Sequence, residues 1–564
     1  GYKTIEYNQH PDFRLFVTQN TDDIKYISKQ KTLTTKISPI FKHIEFAEIP
    51  KDELIEIATK LCKYYNYTNT ELIQDLVDFH YEWSHRPDII SSSYRFTLRD
   101  ISDTIKLIQQ NNNPLDTINT IYASRFPIET RKSLFDLIES KYNHLKSDPV
   151  EFALPKQFPP CFKNQSLLNT VKNVDIAFKG QRNVLLVGKE GSGLTQVARW
   201  IANYYLKLDS EDKSKKHEYC LLCTPKTTIS DLIGQMIITH RADEKIGISI
   251  WKNGPLIKAI KKGSHFVLDS LDLAPFEVSQ RLKELLESEM SFYTPENPKE
   301  SQISINPKFR LIATANEQNL STLSPSLLSK FIVIYLDDQL IDLQNDKKDE
   351  LVRFLLEQEL NSIMRLNIKK EFIDELANSV NIESSNLAQI SLLCRATGRI
   401  WSYCGSVKPS MILSFVKNLI DSNCQEFEVP EELCSSLLKD FASDQSKALK
   451  EFWAKIIACS VAGIHVCLVG PAELEKARMA VTFSDDTSKA QGRDSDSYQL
   501  LSFNKELLTN DVFGTFWTNN FTIKLSKGPL YNAIEKGLVF VADTINLAED
   551  DVIQSLAVAL EQSS

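Results

Sequence analysis

The stretch that decides the fold is "NVLLVGKEGSGLT", residues 183 to 195. An apolar run of β-branched and leucine side chains reaches a glycine-rich turn, and an apolar-periodic segment follows it. A phosphate-binding loop has the pattern Gly, four variable residues, Gly, Lys, then Ser or Thr. Gly188, Gly193 and Thr195 fit that pattern, and Gly191 adds a further flexible position. The lysine position holds Leu194. Glycines let backbone N–H groups and a helix N-terminus approach phosphate oxygens, the lysine neutralises the outer phosphates, and the hydroxyl holds Mg²⁺. The residues therefore keep the cradle and the metal hydroxyl but lose the charge. Lys189, at the start of the same turn, is the one nearby cation that could replace it. A tight strand-turn-helix with no ligand stays open as the other reading.

Working outward, the same phrases come back. "FRLFVTQN" (13 to 20) returns as "FRLIATANE" (309 to 317), a spacing of 296 from Asn20 to Asn316. "NVLLVGKEGSGLT" returns as "HVCLVGPAELEKA" (465 to 477), with 282 residues from Gly188 to Gly470. "NGPLIKAIKKGSHFVLDSLDLAP" (253 to 275) returns as "KGPLYNAIEKGLVFVADTINLAE" (527 to 549), with 274 from Asp269 to Asp543. A weaker pair is "TISDLIGQM" (228 to 236) against "LTNDVFGTF" (508 to 516). A period near 280 residues is domain-sized, not that of a solenoid.

Each module reads as strand, Gly-containing turn, helix, further strand-helix alternation, then an all-helical stretch. That order predicts an α/β fold of tandem modules: a parallel-sheet phosphate-loop domain followed by a small helical lid. The expected boundaries are 1–48 for the end of a first α/β domain and 49–150 for its lid. A second α/β domain runs over 155–340 with its lid at 341–435, and a third begins at 440–564. "DELIEIATKLCKYY" (52 to 65) and "DELVRFLLEQELNSIM" (349 to 364) carry the three-to-four spacing of lid helices. "SSSYRFTLRDISDTIKLI" (91 to 108) reads as a loop leading into a helix. Both chain ends fall inside patterned segments, so the sequence reads as a piece of something longer.

Composition agrees with several soluble domains. A chain of 564 residues exceeds one core, and 42% hydrophobic with 25% charged residues is ordinary for a globular protein. The net charge of −9 argues against a dominant nucleic-acid or anionic-membrane surface, so no direct sequence-specific nucleic-acid binding is expected. No apolar run approaches the roughly 18 residues of a membrane span, and no secretory signal opens the chain. The 10 cysteines are scattered through apolar segments. The close pair Cys220 and Cys223 has no second pair at zinc-site spacing, so plain thiols in a reducing, intracellular setting are expected.

The second phrase carries the chemistry that would follow binding. "SHFVLDSLDLAP" is an apolar strand ending in Asp269, where a Mg²⁺-coordinating carboxylate sits in an open α/β sheet. A following Glu would polarise the attacking water, yet that position holds Ser270, a poor base at neutral pH. In the third module Lys476 is present, but Glu473 and Glu475 stand where glycines would face phosphate, and Ala477 has no hydroxyl. Asp543 remains there and Thr544 replaces the Glu. Two carboxylates would repel the ligand, which predicts an empty structural pocket around Gly470 and Lys476. Asn20 and Asn316 end their strands, where an Asn either orients a water or forms a turn.

Together the phrases resemble the dynein-related AAA+ ATPases, and within them the giant single-chain members that fuse six modules into a ring. The resemblance rests on "HPDFRLFVTQN" (10 to 20), "FKHIEFAEIPKDEL" (41 to 54), "GPLIKAIKKGSHFVLDSLDLAP" (254 to 275), "FRLIATANE" and "LSPSLLSKF" (323 to 331). It implies ATP or ADP with Mg²⁺ as cofactor, with Gly188, Gly191, Gly193, Leu194, Thr195, Asn316, Gly470 and Lys476 at nucleotide-binding positions. Thr195 and Asp269 take the metal positions, and Asn20, Asn316 and Arg99 the sensor positions. Ala388 stands where the next lid has its sensor arginine. The arginine-finger places hold Ser38 and Ile40 in the first module, and Leu328 and Lys330 in the second. The resemblance further implies remodelling of pre-60S ribosomal particles and their assembly factors, in the nucleolus and nucleoplasm. Neighbouring modules of the same chain would form the ring, with no membrane partner. A dynein-like motor and a non-hydrolysing pseudo-ATPase scaffold are the alternatives.

Overall fold

The computed structural model describes residues 49–86, 96–110, 113–142, 165–209, 219–239, 248–287, 291–297, 300–336, 351–357, 370–379, 387–405, 407–421, 427–439, 447–471, 475–490, 497–519 and 522–563, with isolated positions before them. Contacts divide the chain into Gly1–Leu54 and Ile55–Ser564, and the second unit holds nearly all of the described structure. The expected first α/β domain, with Asn20, Ser38 and Ile40, lies outside the described residues.

The run at 184–188 forms strand β1 (Val184–Gly188), with every residue buried. It is buried because it has neighbours on both edges and helices above and below, which is why it reads as continuous rather than alternating hydrophobicity. With β2 (Cys220–Leu222), β5 (Phe266–Asp269), β8 (Leu311–Asn316) and β9 (Ile332–Tyr335) it makes a five-stranded sheet in the order β2-β5-β8-β1-β9. All four pairings are parallel. The register sets Gly188 beside Asn316, so the loop after β1 and the end of β8 open on the same edge. The parallel α/β expectation therefore holds for the second module.

Three antiparallel hairpins interrupt this pattern, which the parallel reading did not anticipate. They are β3 (Gly234–Thr239) with β4 (Ile248–Asn253), β6 (Ser291–Tyr293) with β7 (Gln302–Ser304), and β11 (Gly514–Asn519) with β12 (Thr522–Lys527). The first and third occupy equivalent places in successive modules, and Gly234↔Asn253 matches Gly514↔Lys527 in register. Both lead into a Gly-Pro helix start, helix Pro255–Lys262 and helix Pro529–Lys536. A Cβ on Gly254 would lie 2.3 Å from the Leu232 carbonyl oxygen, and one on Gly528 2.4 Å from that of Val512. That close approach explains why the recurring phrase keeps its glycine before the proline.

Residues 49–150 are expected to be a helical lid, and the regular elements among their described residues are all helices. Helices α1 (Lys51–Tyr64), α2 (Thr70–Ser84), α3 (Leu98–Gln110) and α4 (Ile128–Tyr142) surround a core that includes Leu76, Phe79, Ile101, Ile105 and Tyr122. Between α3 and α4, helix Pro114–Ile118 runs into a π-helical turn, Asn119–Ala123. A buried ion pair braces the lid: Arg125 Nη2 meets Asp100 Oδ1 at 2.5 Å, and Arg125 Nε donates to the Ile121 carbonyl at 2.8 Å.

This lid closes the outer edge of the following module's sheet. The Tyr335 N–H donates to the Ser124 carbonyl at 2.7 Å, and Ser124 Oγ donates to the Val333 carbonyl at 2.9 Å. Arg131 Nη1 donates to the Tyr335 carbonyl at 3.1 Å, and Arg182 pairs with Asp103 at 3.0 Å. An edge strand otherwise presents unpaired backbone groups. Here β9 has its free groups satisfied by the preceding lid.

The second lid contains a helical segment over 351–357 and helices Lys370–Ser379, α5 (Leu387–Cys404), Pro409–Asp421 and Glu431–Leu437. In the third module β10 (Tyr498–Ser502) pairs in parallel with β13 (Val539–Asp543). The expected strand at "HVCLVG" is not formed: residues 464–469 take no regular structure. Val466 and Val469 are 46% and 77% exposed, whereas Val184 and Val187 are fully buried. The reason lies in topology. β1 draws both of its partners from segments that come later in the chain, and these 564 residues hold no third copy of β8 and β9. No described helix is long and apolar enough to cross a membrane.

Candidate phosphate-binding site

The loop after β1 curls back on itself before helix α6 (Leu194–Asp209). Gly191 and Gly193 hold φ of 77° and 84°, a region that side chains other than glycine's rarely occupy. The Ser192 N–H donates to the Lys189 carbonyl at 3.2 Å, and Val197 N–H to the Gly193 carbonyl at 2.9 Å, which starts the helix. The first amides of α6 thus point into the turn. Gly188, Gly191, Gly193, Leu194 and Thr195, all singled out from the sequence, line one cavity of about 670 Å³ with Asp269, Ser270 and Asn316. Leu194 is the first residue of α6, so an apolar side chain stands where a charge is expected.

The strand ends bring the oxygens together. Thr195 Oγ1 donates to Asp269 Oδ1 at 2.9 Å, and Thr314 Oγ1 donates to the same oxygen at 2.6 Å. Thr314 Oγ1 in turn accepts from the Ser270 N–H at 2.8 Å. Asp269 is buried, 4% exposed, and its charge is met by these hydroxyls. Ser270 has φ of 54°, and Thr544, its counterpart in the third module, has φ of 53°. The left-handed kink after the strand-end acid is therefore kept in both modules although neither residue is a glycine.

Asn316 lies at the cavity edge, but its Oδ1 accepts from the Gln318 N–H at 3.0 Å and caps the turn Glu317–Thr322. The turn-forming role is thus realised in the structure. Asp272, which sequence reasoning passed over, holds this corner: Oδ1 accepts from the Asn316 N–H at 3.2 Å and Oδ2 from Asn319 Nδ2 at 3.0 Å. Sequence reading also missed Trp200 on α6 and Phe354, Leu355 and Ser391 of the following helical stretch, which line the same cavity. Ser391 lies one turn beyond Ala388, which holds the sensor-arginine position on α5. Ser192 Oγ is buried in the loop with no hydrogen-bond partner. Burial pushes the Cys223 thiol up to about 12 and also raises Cys220, which fits unreactive thiols.

The third module is built differently at the same place. Lys476 Nζ donates to the carbonyls of Gly470 and Pro471, at 2.9 and 2.7 Å, and so spends its charge on its own loop. Glu475 takes φ of 41° and pairs with Arg478 at 3.0 Å. Thr544 Oγ1 donates to the Phe503 carbonyl at 3.0 Å. Glu473 lies outside the described residues.

Of the finger positions in the second module, Leu328 is packed in the core, and Lys330 is ion-paired with Glu287 at the end of helix Phe276–Glu287. Arg99, in the first turn of α3, adds a further positive charge near both. Burial, opposed by the Glu287 carboxylate, lowers the Lys330 ammonium, with Arg99 adding to the lowering. The Lys330 hydrogen bond holds the Glu287 carboxyl below its ordinary range. The structure therefore brings Arg99 and Lys330 together across the lid and the next module, away from the Gly188 loop.

Comparison with known proteins agrees with this architecture. Residues 183–331 and 465–564 match the AAA domain of the dynein-related subfamily. The chain is similar to midasin of Dictyostelium discoideum, 28% identical over 28% of this chain and 2% of that protein. Midasin of Giardia intestinalis is 20% identical over 97% of this chain and 14% of its own length. An uncharacterised protein of Staphylococcus epidermidis is 28% identical over 39% of this chain and 84% of its own length. The chain thus spans only a small part of either midasin. NtrX from Brucella abortus in complex with ADP aligns at 13% identity and TM-score 0.31, over 65% of this chain and 74% of that one. The second module is an α/β phosphate-loop AAA+ fold.

Proposed function

We propose that this chain is part of a midasin-like AAA+ mechanochemical ATPase, in which the second module holds a nucleotide that it does not cut. The observation that carries the reading is a division within one cavity. The cradle glycines and the Thr195–Asp269 oxygen pair are in place, while Leu194 and Ser270 occupy the positions of the phosphate lysine and the catalytic base. Thr195 Oγ1 and Asp269 supply hard oxygen donors of the kind Mg²⁺ prefers, and the residues fit that ion. When bound, Mg²⁺ would neutralise phosphate charge at this corner. Thr314 holds Asp269 in position through its hydroxyl, and Phe354 and Leu355 of the following helical segment add an apolar wall to the cavity. The Ser270 hydroxyl does not take a proton from water at neutral pH, so a bound nucleotide persists. The third module, with Lys476 tied to its own loop, serves as ring scaffold. By the same resemblance the whole protein remodels pre-60S ribosomal particles in the nucleus, with its modules forming a ring.

The test is nucleotide binding and turnover by the 564-residue chain. Expected is Mg²⁺-dependent binding of ADP or ATP with negligible hydrolysis, and turnover in Leu194→Lys combined with Ser270→Glu. Brisk hydrolysis by the unmodified chain would overturn the reading. Absence of binding in both forms would favour the pure scaffold alternative.

A further inference from the structure

The phosphate cradle lacks its lysine, yet a polyphosphate brings several negative charges. Among the described residues that line the cavity, the charged side chains are Lys189, Glu190 and Asp269. Lys189 is the only cation of the three, and the cavity lining is otherwise short of positive charge. The Lys189 side chain is exposed and forms no ion pair or side-chain hydrogen bond with any described residue. Its carbonyl accepts the Ser192 N–H at 3.2 Å, so the turn folds residue 189 over the same opening that Gly191 and Gly193 line. A second, independent sign that this opening takes a ligand is Ser192 Oγ, on a residue 3% exposed, buried without a partner inside the loop. Buried hydroxyls in folded proteins are almost always hydrogen-bonded, and an orphan within a loop of converging N–H groups marks a place for an acceptor.

We propose that Lys189 supplies from the start of the loop the phosphate-binding charge that Leu194 has removed from its end. The inference rests on nucleotide binding at this site and assigns its specificity: selection for two or more phosphates over one. In this arrangement the cation approaches from the solvent side and needs no buried seat, which is why an apolar Leu194 is tolerated at the helix start. A lysine here makes point-charge contacts with phosphate oxygens rather than bidentate ones, so arginine can replace it in kind.

The experiment measures ADP and AMP binding to the full chain by calorimetry, with Mg²⁺ present. The forms compared are the parent, Lys189→Ala, Lys189→Arg, Leu194→Lys and Lys189→Ala with Leu194→Lys. Lys189 is exposed, so its substitution leaves the fold intact, which thermal unfolding checks. Loss of one charge-assisted contact should weaken ADP by about tenfold or more. AMP should change by less than about threefold on the same scale. Lys189→Arg should keep ADP affinity, and Leu194→Lys should restore it in the alanine background. Equal ADP affinity in the parent and Lys189→Ala would overturn the proposal while leaving nucleotide binding intact. So would an equal loss for ADP and AMP. Binding by Leu194→Lys with none by the parent would show that Lys189 does not supply the charge. No binding by any form would instead remove the reading beneath it.

Discussion

Arg125→Met should loosen the first lid and, through it, the lid's hold on β9. Arg125 and Asp100 are 7% and 9% exposed at their side chains and meet at 2.5 Å. Methionine keeps much of the packing volume against Phe96, whose ring centroid lies 5.3 Å from the guanidinium, but leaves the Asp100 carboxylate buried with no counter-charge. Breaking a buried pair in this way costs about 3–5 kcal/mol. At about 1.4 kcal/mol per tenfold, amides of α3 should exchange hydrogen roughly a hundred to a few thousand times faster, up to the limit set by global unfolding. The pH dependence gives the cause. In the parent, burial pushes the Asp100 carboxyl up, but Arg125, together with the Thr97 N–H and His80, outweighs it and holds the carboxyl below its ordinary value. That contribution is present above the unfolded pKa and is lost as pH falls through the lowered folded one. Without Arg125 the burial remains, so the folded carboxyl rises above its unfolded value. The deficit is then full at neutral pH and shrinks as pH falls through the raised value. His80, which also faces Asp100 and Arg125, takes up a proton more readily in the variant and adds to this recovery. Exchange of peptides covering 98–126, compared at two pH values, reads both effects. Asp100→Asn in the same background should recover part of the loss at neutral pH. Unchanged exchange in Arg125→Met, or a deficit that grows as pH falls, would refute the reasoning.

Other outcomes follow from the same structure. Burial pushes His80 down to about 4, so the folded lid binds fewer protons than the unfolded chain between that value and the ordinary one near 6.5. Lid stability should therefore fall by on the order of 3 kcal/mol as pH drops through this window, and His80→Phe should flatten the fall in a pH series of local exchange. Gly254→Ala puts a methyl against the backbone of Leu232, and Gly528→Ala puts one against Val512. Each should destabilise its module by about 1–3 kcal/mol or more, seen as earlier unfolding in denaturant. Lys476→Met should change stability by no more than about 1 kcal/mol, because its carbonyl contacts are solvent-exposed. A Thr195→Ala chain should bind ADP with its Mg²⁺ dependence blunted, measured by titration with and without the metal.

What the sequence made legible was local and repeated. Strand β1, the turn glycines, Thr195 and Asp269 were readable because each phrase carries its own periodicity and turn chemistry, and a second copy raised the signal. The hairpins were not, since β3 and β4 are short runs whose own residues carry no signal of which strand they pair with. Trp200, Phe354 and Ser391 escaped because they come from different elements and meet only when the lid folds over the loop. Asp272 escaped for a subtler reason: it reads as one more acid in "DSLDLAP", and only the backbone kink at Ser270 turns it towards Asn316. In the third module the phrase "HVCLVG" was legible as a repeat, but a central strand is specified by partners as much as by its own residues, and the counterparts of β8 and β9 are not among these residues.

The hydrogen bonds from Ser124 and Arg131 to β9 put the written unit and the folding unit out of phase. A copyist marking repeats would begin a module near Asn183, where the glycine phrase starts. Physically, the body that includes β9 begins earlier, with the helices of the preceding repeat. A truncation made at the written boundary would leave the backbone groups of Val333 and Tyr335 without their seal, and with them a sheet edge open to pairing with other chains. The helices of one repeat and the sheet of the next therefore share backbone hydrogen bonds, and the two belong together in any piece meant to fold.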